Sequence, residues 1–479
     1  MSAPARERPR VGLMGIGLAA YWPQFEGLRE RLLGYQREVE GRLAALGADV
    51  VSAGLVDSAE GAREAGDLLA SGHVDVVMVY AATYATSSQV LPAVQAARAP
   101  VVILNLQPAR TLDYEGMTTG EWLANCSACC VPELAGAFTR ARIPYHTVTG
   151  TLLEGDPAWT SVRGWVEAAA AVRSARRARF GFLGHNYPGM LDMYSDFTQI
   201  QAQIGSHVEI LEIDDLVARV EGASAGEVAA KGDEIRAAFE LAVPGADPIA
   251  GEIEPERFEW SARVAVGLDR LVADFALDGL TYYYRGVGGN VNERVGAGLI
   301  VGNSLLTARG VPTAGEADLK TNVAMLLLDR LGAGGSYTEF YGLDFDESFV
   351  LMGHDGPGHV AIADGRPVLR ALKLFHGKSG AGLSVEMKVR LGPVTILGLS
   401  QTADGRLKLL AAEGESIAGS TFRIGNTNSR IRFASGPAAF MDAWCAEGPT
   451  HHVALGVGHR TGDIRRVAAL LGVELAVVA

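Results

Sequence analysis

The stretch between positions 315 and 359 carries the strongest signal for chemistry in this sequence. Glu316 opens a segment with apolar residues at helical spacing, and Glu339 lies in a strand-like segment after a Gly-rich turn. His354 follows a short apolar run. Two carboxylates and an imidazole on neighbouring elements suit a divalent cation that prefers oxygen and nitrogen donors. The alternative from spacing alone is that all three are ordinary half-buried residues.

The helix in this stretch is expected to begin at Glu316. A carboxylate in the first turn faces the partial positive charge of unpaired N–H groups, which keeps it ionised. Lys320 lies one turn later, where it can form an i, i+4 salt bridge with Glu316 or bind a substrate oxygen. In the strand that follows, Tyr337 and Glu339 share a face.

A second candidate segment lies near the C-terminus, where GPTHHVALGVGH places His451 and His452 side by side. Neighbouring residues of a strand point to opposite faces, so only one of this pair is expected to face a given pocket. His451, His359 and Asp355 are candidates for contacts that orient the metal ligands.

Taken in order, the segments EADLKT, TEF, VLMGH and GPTHHVAL resemble motifs of the L-arabinose isomerase family. Those motifs read approximately E-G-D-W-K-T, M-E-D, V-L-G-S-H and G-A-H-H-T. The resemblance implies that the metal ligands are Glu316, Glu339, His354 and His452. It also implies that Glu316 and Glu339 form the catalytic acid/base pair. Such a donor set favours Mn²⁺, with Co²⁺ or Mg²⁺ as alternatives.

The function that the resemblance implies is metal-dependent aldose–ketose isomerisation. L-arabinose or a related sugar would be converted to its ketose by proton transfer between C1 and C2 through an enediolate. Isomerisation or epimerisation of L-fucose, D-galactose or a modified hexose stays open, as does a non-catalytic sugar-binding module. Because the family completes each pocket with a neighbour's N-terminal domain, a homohexamer or at least a trimer is expected.

Five side chains are predicted to contact the sugar. Tyr21 and Tyr84 follow predicted strands, at the carboxyl ends where parallel sheets bind ligands. A segment resembling the family's N-Q-T-A-H-G-G-R-E-F aligns Asn125 with its Asn, and Cys129 with the His that reaches a neighbouring subunit's pocket. Lys320 completes the set. The loss of that His, and of polar side chains in the loop ending at Tyr21, leaves the identity of the sugar open.

Composition narrows the class of protein further. The net charge of −13 over 479 residues argues against nucleic-acid or anionic-membrane partners. No apolar run approaches the roughly eighteen residues of a membrane span. Four cysteines, three of them bunched at Cys126, Cys129 and Cys130, are too few for a disulfide framework and predict a cytoplasmic protein. They are interpreted as buried small hydrophobes, with a redox pair as the alternative.

The elements that must position these residues predict an α/β fold. Strands rich in β-branched residues alternate with helices along the first two thirds of the chain, which is typical of doubly wound parallel sheets. A basic hinge at 173–180 marks the first boundary, and beyond Gly332 short strands predict a mostly antiparallel barrel. We expect two α/β domains at 1–176 and 177–331 and a β-rich domain at 332–479, as in fucose and arabinose isomerases.

Overall fold

The first unit of the chain, Arg6–Arg173, is built on five parallel strands with helices between them. The strands are β1 (Arg10–Ile16), β2 (Asp49–Val56), β3 (Val76–Tyr80), β4 (Val101–Gln107) and β5 (Tyr145–Thr151). The helices are α1 (Leu28–Ala45), α2 (Ala59–Ser71), α3 (Leu91–Ala97), α4 (Thr119–Leu123), α5 (Cys130–Arg140) and α6 (Ala158–Arg177). The order is β2-β1-β3-β4-β5, and the apolar central strand β3 is wholly buried, as expected of a parallel sheet.

The predicted hinge at 173–180 is wrong as a description of local structure. Helix α6 continues through Arg177, and the next strand starts at Arg179. Alanine and arginine are good helix formers, so the basic composition does not interrupt the helix. The boundary between the two units nevertheless falls near this point, between Arg173 and Ser174.

The second unit, Ser174–Ala479, starts with another parallel sheet. Its first strands are β6 (Arg179–Gly184), β7 (His207–Leu211), β8 (Glu240–Leu241), β9 (Ala250–Gly251), β10 (Gly279–Tyr283) and β11 (Thr313–Ala314). Its first helices are α7 (Phe197–Gln203), α8 (Ile213–Glu221), α9 (Ala225–Ala238), α10 (Pro255–Asp274), α11 (Val291–Ala297), α12 (Leu299–Ala308) and α13 (Leu319–Arg330). The parallel sheet has the order β11-β10-β6-β7.

The rest of this unit is dominated by a mixed sheet of seven strands. The remaining strands are β12 (Ser336–Asp344), β13 (Phe349–His354), β14 (Val368–Leu372), β15 (Ser384–Glu386), β16 (Gly392–Gln401), β17 (Leu407–Ile417), β18 (Thr427–Arg432), β19 (His452–Val457) and β20 (Glu474–Val478), with helices α14 (Pro437–Ala446) and α15 (Thr461–Leu471). The large sheet runs β16-β19-β12-β13-β18-β17-β20, and β16 also pairs with β17. A small sheet joins β8, β9, β14 and β15.

Helix α13 links the two large sheets of this unit. It contacts β10 and β11 of the parallel sheet and β16 and β19 of the mixed sheet. Every residue from Leu319 to Leu328 is buried, including the polar side chains of the first turn. The polar Asn322 is accommodated because its side-chain amide donates to the carbonyl of Pro312 at 2.8 Å. The start of α13 is thereby held at the junction of both sheets.

These features come from a computed structural model that describes residues 8–284, 288–372 and 382–479. The fold is mixed α/β, with parallel sheets and a mixed sheet, as the sequence predicts. The further boundary at residue 331 stays a prediction. Within the described ranges, no helix is both long and apolar enough to cross a membrane.

Candidate metal centre

Glu316 lies in a short 3-10 turn, Gly315–Ala317, that precedes α13. Its φ is 58°, in the left-handed region that residues other than glycine rarely adopt. The helix begins only after Asp318, whose carboxylate accepts a hydrogen bond from the backbone N–H of Thr321 at 3.0 Å. The prediction that Glu316 opens the helix is therefore wrong, because Asp318 caps the helix N-terminus instead.

Three adjacent strands of the mixed sheet carry the other predicted ligands. Glu339 of β12 pairs with Gly353 of β13 on one side and with His452 of β19 on the other. Directly opposed residues project from the same face of a sheet, so Glu339 and His452 are neighbours. His354 is the last residue of β13 and adjoins Gly353. Strand pairing thus places Glu339 and His452 side by side on interior strands of the sheet, and His354 lies at the end of the neighbouring strand β13.

The four predicted ligands, together with His451, form two groups that share His452. Ligand atoms of Glu339, His354 and His452 all lie within 4.8 Å of one another. The same holds for Glu316, His451 and His452. Nε2 of His452 lies 3.2 Å from Nε2 of His354 and 3.5 Å from Oε2 of Glu316. The structure therefore brings together all four side chains that the sequence singled out.

The hydrogen bonds of His452 determine which ring nitrogen faces the other ligands. Its Nδ1 lies 3.1 Å from Oδ2 of Asp318 and 2.7 Å from the hydroxyl of Tyr337. An ionised carboxylate only accepts hydrogen bonds, so Nδ1 is the donor. In the neutral ring, the lone pair of Nε2 then points towards Glu316 and His354. A carboxylate that orients an imidazole in this way is a common partner of metal-binding histidines.

Glu316 supplies a second observation that fits a cation. Its Oε2 is buried and accepts no hydrogen bond from the residues that the structure describes. A buried carboxylate oxygen without a donor is unfavourable, whereas a divalent cation at that position would satisfy it. Two carboxylates and two imidazoles are donors that suit Mn²⁺, Co²⁺ or Mg²⁺. A closed structural zinc site would instead be expected to contain thiolates. The residues present therefore fit such an ion.

Burial and neighbouring charges shift the pKa values of the three central groups. Burial raises the pKa of Glu316, an effect only partly offset by His452 and His451. Burial alone would raise the pKa of Asp318, but hydrogen bonds from His452 and Thr321 outweigh it and lower the pKa. For His452, burial opposes protonation, yet the hydrogen bond and charge of Asp318 raise its pKa. Asp318 is therefore ionised and holds the ring of His452.

Replacing Asp318 with Asn should weaken Mn²⁺ binding by about 10- to 100-fold, the usual effect of removing a carboxylate that orients a metal-binding His. Asn can still cap α13, so loss of the helix does not explain the result. Isothermal titration of the folded protein with Mn²⁺ measures the change. Asp442→Asn, on the exposed face of α14, is the control and should bind as the unaltered chain does. Unchanged affinity in the Asp318 variant would contradict the orienting role.

His451 does not follow the alternation expected of a strand. β19 begins only at His452, so His451 lies outside the regular pleat. Its Nδ1 is 2.6 Å from Oδ2 of Asp192, and its Nε2 is 4.0 Å from Oε2 of Glu316. The ring centroids of His451 and His452 lie 3.8 Å apart. The expectation that only one of them faces the site is wrong, because both approach Glu316.

Lys320 does not form the predicted salt bridge. Its Nζ donates to the backbone carbonyls of Asp192 at 2.5 Å and Tyr194 at 3.1 Å. Among the described residues, no ion pair joins Lys320 to Glu316. Burial lowers the pKa of Lys320, partly offset by Asp318 and Asp192. Lys320 thus anchors the turn that carries Asp192, and its contact with a sugar stays a prediction.

The other two candidates for orienting contacts lie in different surroundings. His359 has its Nε2 3.8 Å from Oδ1 of Asp329, beyond the middle of α13. Burial, with a contribution from the charge of Asp355, raises the pKa of Tyr282. His359 is thus placed against Asp329, and an orienting role for Asp355 stays a prediction.

The predicted sugar contacts Tyr21 and Tyr84 lie in the first unit, Arg6–Arg173. Tyr21 ends a short turn, and its ring meets that of Phe25 edge-on at 6.1 Å. Tyr84 is half-buried against the core of this unit. Burial raises the pKa of Tyr21, with a smaller contribution from Tyr84. Their contact with a sugar stays a prediction.

The other two predicted contacts of this unit lie close together in sequence. Asn125 is buried, and its amide donates to the carbonyl of Glu121 at 3.0 Å. Cys129 is paired with Cys126 in a disulfide, so it carries no thiol proton to donate. A sugar contact through the thiol of Cys129 thus stays a prediction for the reduced chain.

The sequence reasoning missed three residues that contact the candidate ligands or His451. Asp318 could have been found, because the family motif E-G-D-W-K-T has an Asp at the matching position. Tyr337 was placed on the right face of β12, but its hydrogen bond to His452 needed the pairing of β12 with β19. Asp192 lies far away in sequence, and no motif marks it.

Comparisons with known proteins fall into three groups. No protein-family model matches the chain. It is 24% identical over 410 residues to the L-arabinose isomerases of Nocardioides sp. and Acidothermus cellulolyticus, which covers 84% of this chain and 80% of each relative. The L-arabinose isomerase of Erwinia tasmaniensis is 22% identical over 411 residues, with the same coverage.

Among solved structures, similarity extends to two solute-binding proteins of ABC transporters. One, from Actinobacillus succinogenes with bound D-allose, has a TM-score of 0.18 and 13% identity, and covers 64% of this chain and 84% of its own. The other, from Agrobacterium vitis with bound α-D-tagatopyranose, has a TM-score of 0.16 and 13% identity, with 64% and 92% covered. These scores are too low to support a conclusion about function.

Proposed function

Because the chain is related to the L-arabinose isomerases along most of its length, we propose that it is a metal-dependent aldose–ketose isomerase acting on L-arabinose or a related sugar. The observation that supports this most is the arrangement around His452. Its Nδ1 is held by Asp318, and its Nε2 is directed at Glu316 and His354. That arrangement provides nitrogen and oxygen donors for one cation beside a carboxylate suited to proton transfer.

The cofactor in this proposal is Mn²⁺, with Co²⁺ or Mg²⁺ as alternatives, and its ligands are Glu316, Glu339, His354 and His452. When bound, the ion supplies polarisation of the sugar carbonyl and stabilises the negative charge that develops on the adjacent oxygens. The chain's own contribution is to fix the donors. Tyr337 helps to do so, because its ring packs 4.5 Å from the rings of both His354 and His452.

Glu316 and Glu339 are assigned to the proton transfers. Isomerisation moves a proton between C1 and C2 of the open-chain sugar through an enediolate, which requires a base and an acid. Burial raises the pKa of Glu316, which makes this carboxylate a stronger base than an exposed one and suits it to accept a proton from carbon. Glu339, half-buried and opposite His452, is the partner carboxylate. Its charge adds to the raised pKa of Glu316.

A panel of aldoses incubated with the purified full chain and Mn²⁺ tests this function. L-arabinose, L-fucose and D-galactose are the first substrates, and ketose formation is the readout. We expect conversion of at least one of them. Sugar binding without conversion would instead favour a sugar-binding module, and a new aldose without ketose would favour an epimerase. Absence of ketose from every aldose with Mn²⁺, Co²⁺ and Mg²⁺ would contradict the proposal.

The proposal includes a fold and an assembly. We propose a C-terminal antiparallel barrel within 332–479, which the pairing of β16 with both β19 and β17 supports. The divisions at residues 176 and 331, the hexamer or trimer and the cytoplasmic location stay predictions. Light scattering of the purified chain measures the oligomeric state directly.

A further inference from the structure

Three cysteines at the start of helix α5 differ in their surroundings. Cys126 and Cys129 form a disulfide with Cα atoms 6.3 Å apart. Cys126 is buried, whereas Cys129 is exposed. Cys130 is a free thiol that is fully buried. The interpretation of all three as buried small hydrophobes is therefore wrong for Cys129, and the alternative of a redox pair fits the observed disulfide.

We propose that Cys126 and Cys129 form a reversible dithiol–disulfide couple that exchanges with low-molecular-weight thiols, with Cys129 as the sulfur that the external thiol reaches. The unequal exposure supports this assignment. Exchange requires an attacking sulfur to approach one sulfur of the disulfide in line, and only Cys129 is open to solvent. Cys126 is then the buried sulfur that leaves, and in the reverse direction it re-forms the bond.

The position of Cys129 favours its reactive form. It is the N-cap residue of α5, a helix of eleven residues. Unpaired N–H groups at the start of a helix stabilise an adjacent thiolate. Glu133 in the first turn would oppose this, but its carboxylate accepts hydrogen bonds from Ser87, from the backbone N–H at 2.9 Å and from the hydroxyl at 2.6 Å. Those two hydrogen bonds disperse part of the negative charge of Glu133, which still contributes to the raised pKa of Cys130.

Cys130 is the third thiol, and it takes no part. Its Sγ lies 3.3 Å from the carbonyl of Ser127 and 3.5 Å from that of Thr83, to which the thiol can donate. Burial raises the pKa of Cys130 to about 11, so it stays protonated at neutral pH. A protonated, inaccessible thiol is a poor nucleophile. The cluster therefore contains one reactive pair and one unreactive neighbour.

The exchange balances with two equivalents of a monothiol such as glutathione. The glutathione thiolate attacks Sγ of Cys129, the bond to Cys126 breaks, and Cys126 leaves as a thiolate that takes up a proton. A second glutathione thiolate attacks the mixed disulfide, which releases glutathione disulfide and the thiolate of Cys129. The protein disulfide is thereby reduced by two electrons while two thiols are oxidised. Glutathione disulfide drives the same steps in reverse.

Alkylation of the folded full chain tests this couple. A Cys445→Ser background removes the exposed thiol that lies elsewhere in the chain. After incubation with glutathione and glutathione disulfide at set ratios, N-ethylmaleimide blocks free thiols and peptide mass spectrometry locates them. We expect rapid alkylation of the folded chain to rise from none of the remaining cysteines to one, the exposed Cys129, as the ratio favours reduction. The buried Cys126 should react after unfolding, and only in chains whose disulfide has been reduced. Cys130 should react only after unfolding.

Two variants assign the roles within the pair. Cys126→Ser should trap glutathione on Cys129, because no partner sulfur remains to displace it. Cys129→Ser should leave Cys126 without an adduct. Circular dichroism checks that both variants are folded, and the unaltered pair provides a result that does not depend on them. Failure of glutathione to reduce the folded pair at any ratio, or an adduct on Cys130 in place of Cys129, would overturn the proposal.

Discussion

Replacing Glu316 with Gln is expected to lower kcat for aldose–ketose conversion by about 10²- to 10⁴-fold, the range in which a positioned acid or base contributes. The amide keeps the size of the side chain, yet it cannot accept a proton from carbon or hold one for return. It also removes a negative charge next to His452, whose Nε2 lies 3.5 Å away. Steady-state kinetics with Mn²⁺ present measure the change in kcat.

A measurement of sugar affinity shows whether the fall in kcat of Glu316→Gln reflects lost proton transfer or a disrupted binding site. The Glu316→Gln chain should still bind sugar in equilibrium dialysis, because the backbone turn Gly315–Ala317 is unaltered. Glu415→Gln, on an exposed position of β17, is the matched control and should keep the original kcat. A Glu316 variant that turns over within a few-fold of the unaltered chain would rule out Glu316 as a catalytic residue.

Removal of divalent cations is expected to abolish ketose formation, and added Mn²⁺ should restore it. Within the described part of the chain, a buried oxygen of Glu316 has no hydrogen-bond donor, and the proposed carbonyl polarisation requires a cation there. At free Mn²⁺ one hundred times its Kd, binding adds about 2.7 kcal/mol to the free energy of unfolding. Addition of Mn²⁺ to the EDTA-treated chain should therefore also raise its Tm.

His452→Asn checks that both effects arise at this centre. Because His452 belongs to both groups of ligand atoms, its loss should remove the Mn²⁺-dependent rise in Tm together with the activity. His459→Asn is the matched control, since that ring is exposed and lies against the carbonyl of Gly414 and the carboxylate of Glu413. Full activity of the chain after chelation would exclude a metal-dependent reaction.

The proximity of the four candidate ligands could be predicted because the side chains follow sequence motifs, whereas their local geometry could not. Glu316 and Asp318 both precede an apolar helical pattern, so either could cap α13. Asp318 is the cap because two residues hold its carboxylate by hydrogen bonds. Thr321 does so from within α13, and His452 does so from β19. Similarly, β19 begins at His452 because this residue pairs with Glu339 on β12. His451 precedes the strand, so its side chain does not follow the alternation of strand residues.

The parallel sheets were predictable from a different source. Runs of β-branched residues between helical segments need a sheet covered on both faces, and no distant contact changes that requirement. The disulfide was not predictable in the same way. Two cysteines three positions apart pair only if the loop before α5 brings their Cα atoms to 6.3 Å, a distance that spacing alone does not determine.

The backbone at Glu316 has a practical consequence for directed evolution of this chain. Its φ of 58° and that of 59° at Ala317 are strained for any side chain with a Cβ, and most strained for Val, Ile and Thr. Because Glu and Ala already carry this strain, saturation libraries at these two codons should lose mainly the Val, Ile and Thr clones, and the folded clones should be enriched in Gly and Asn. Attempts to broaden the sugar repertoire are better directed at codons whose residues occupy relaxed conformations.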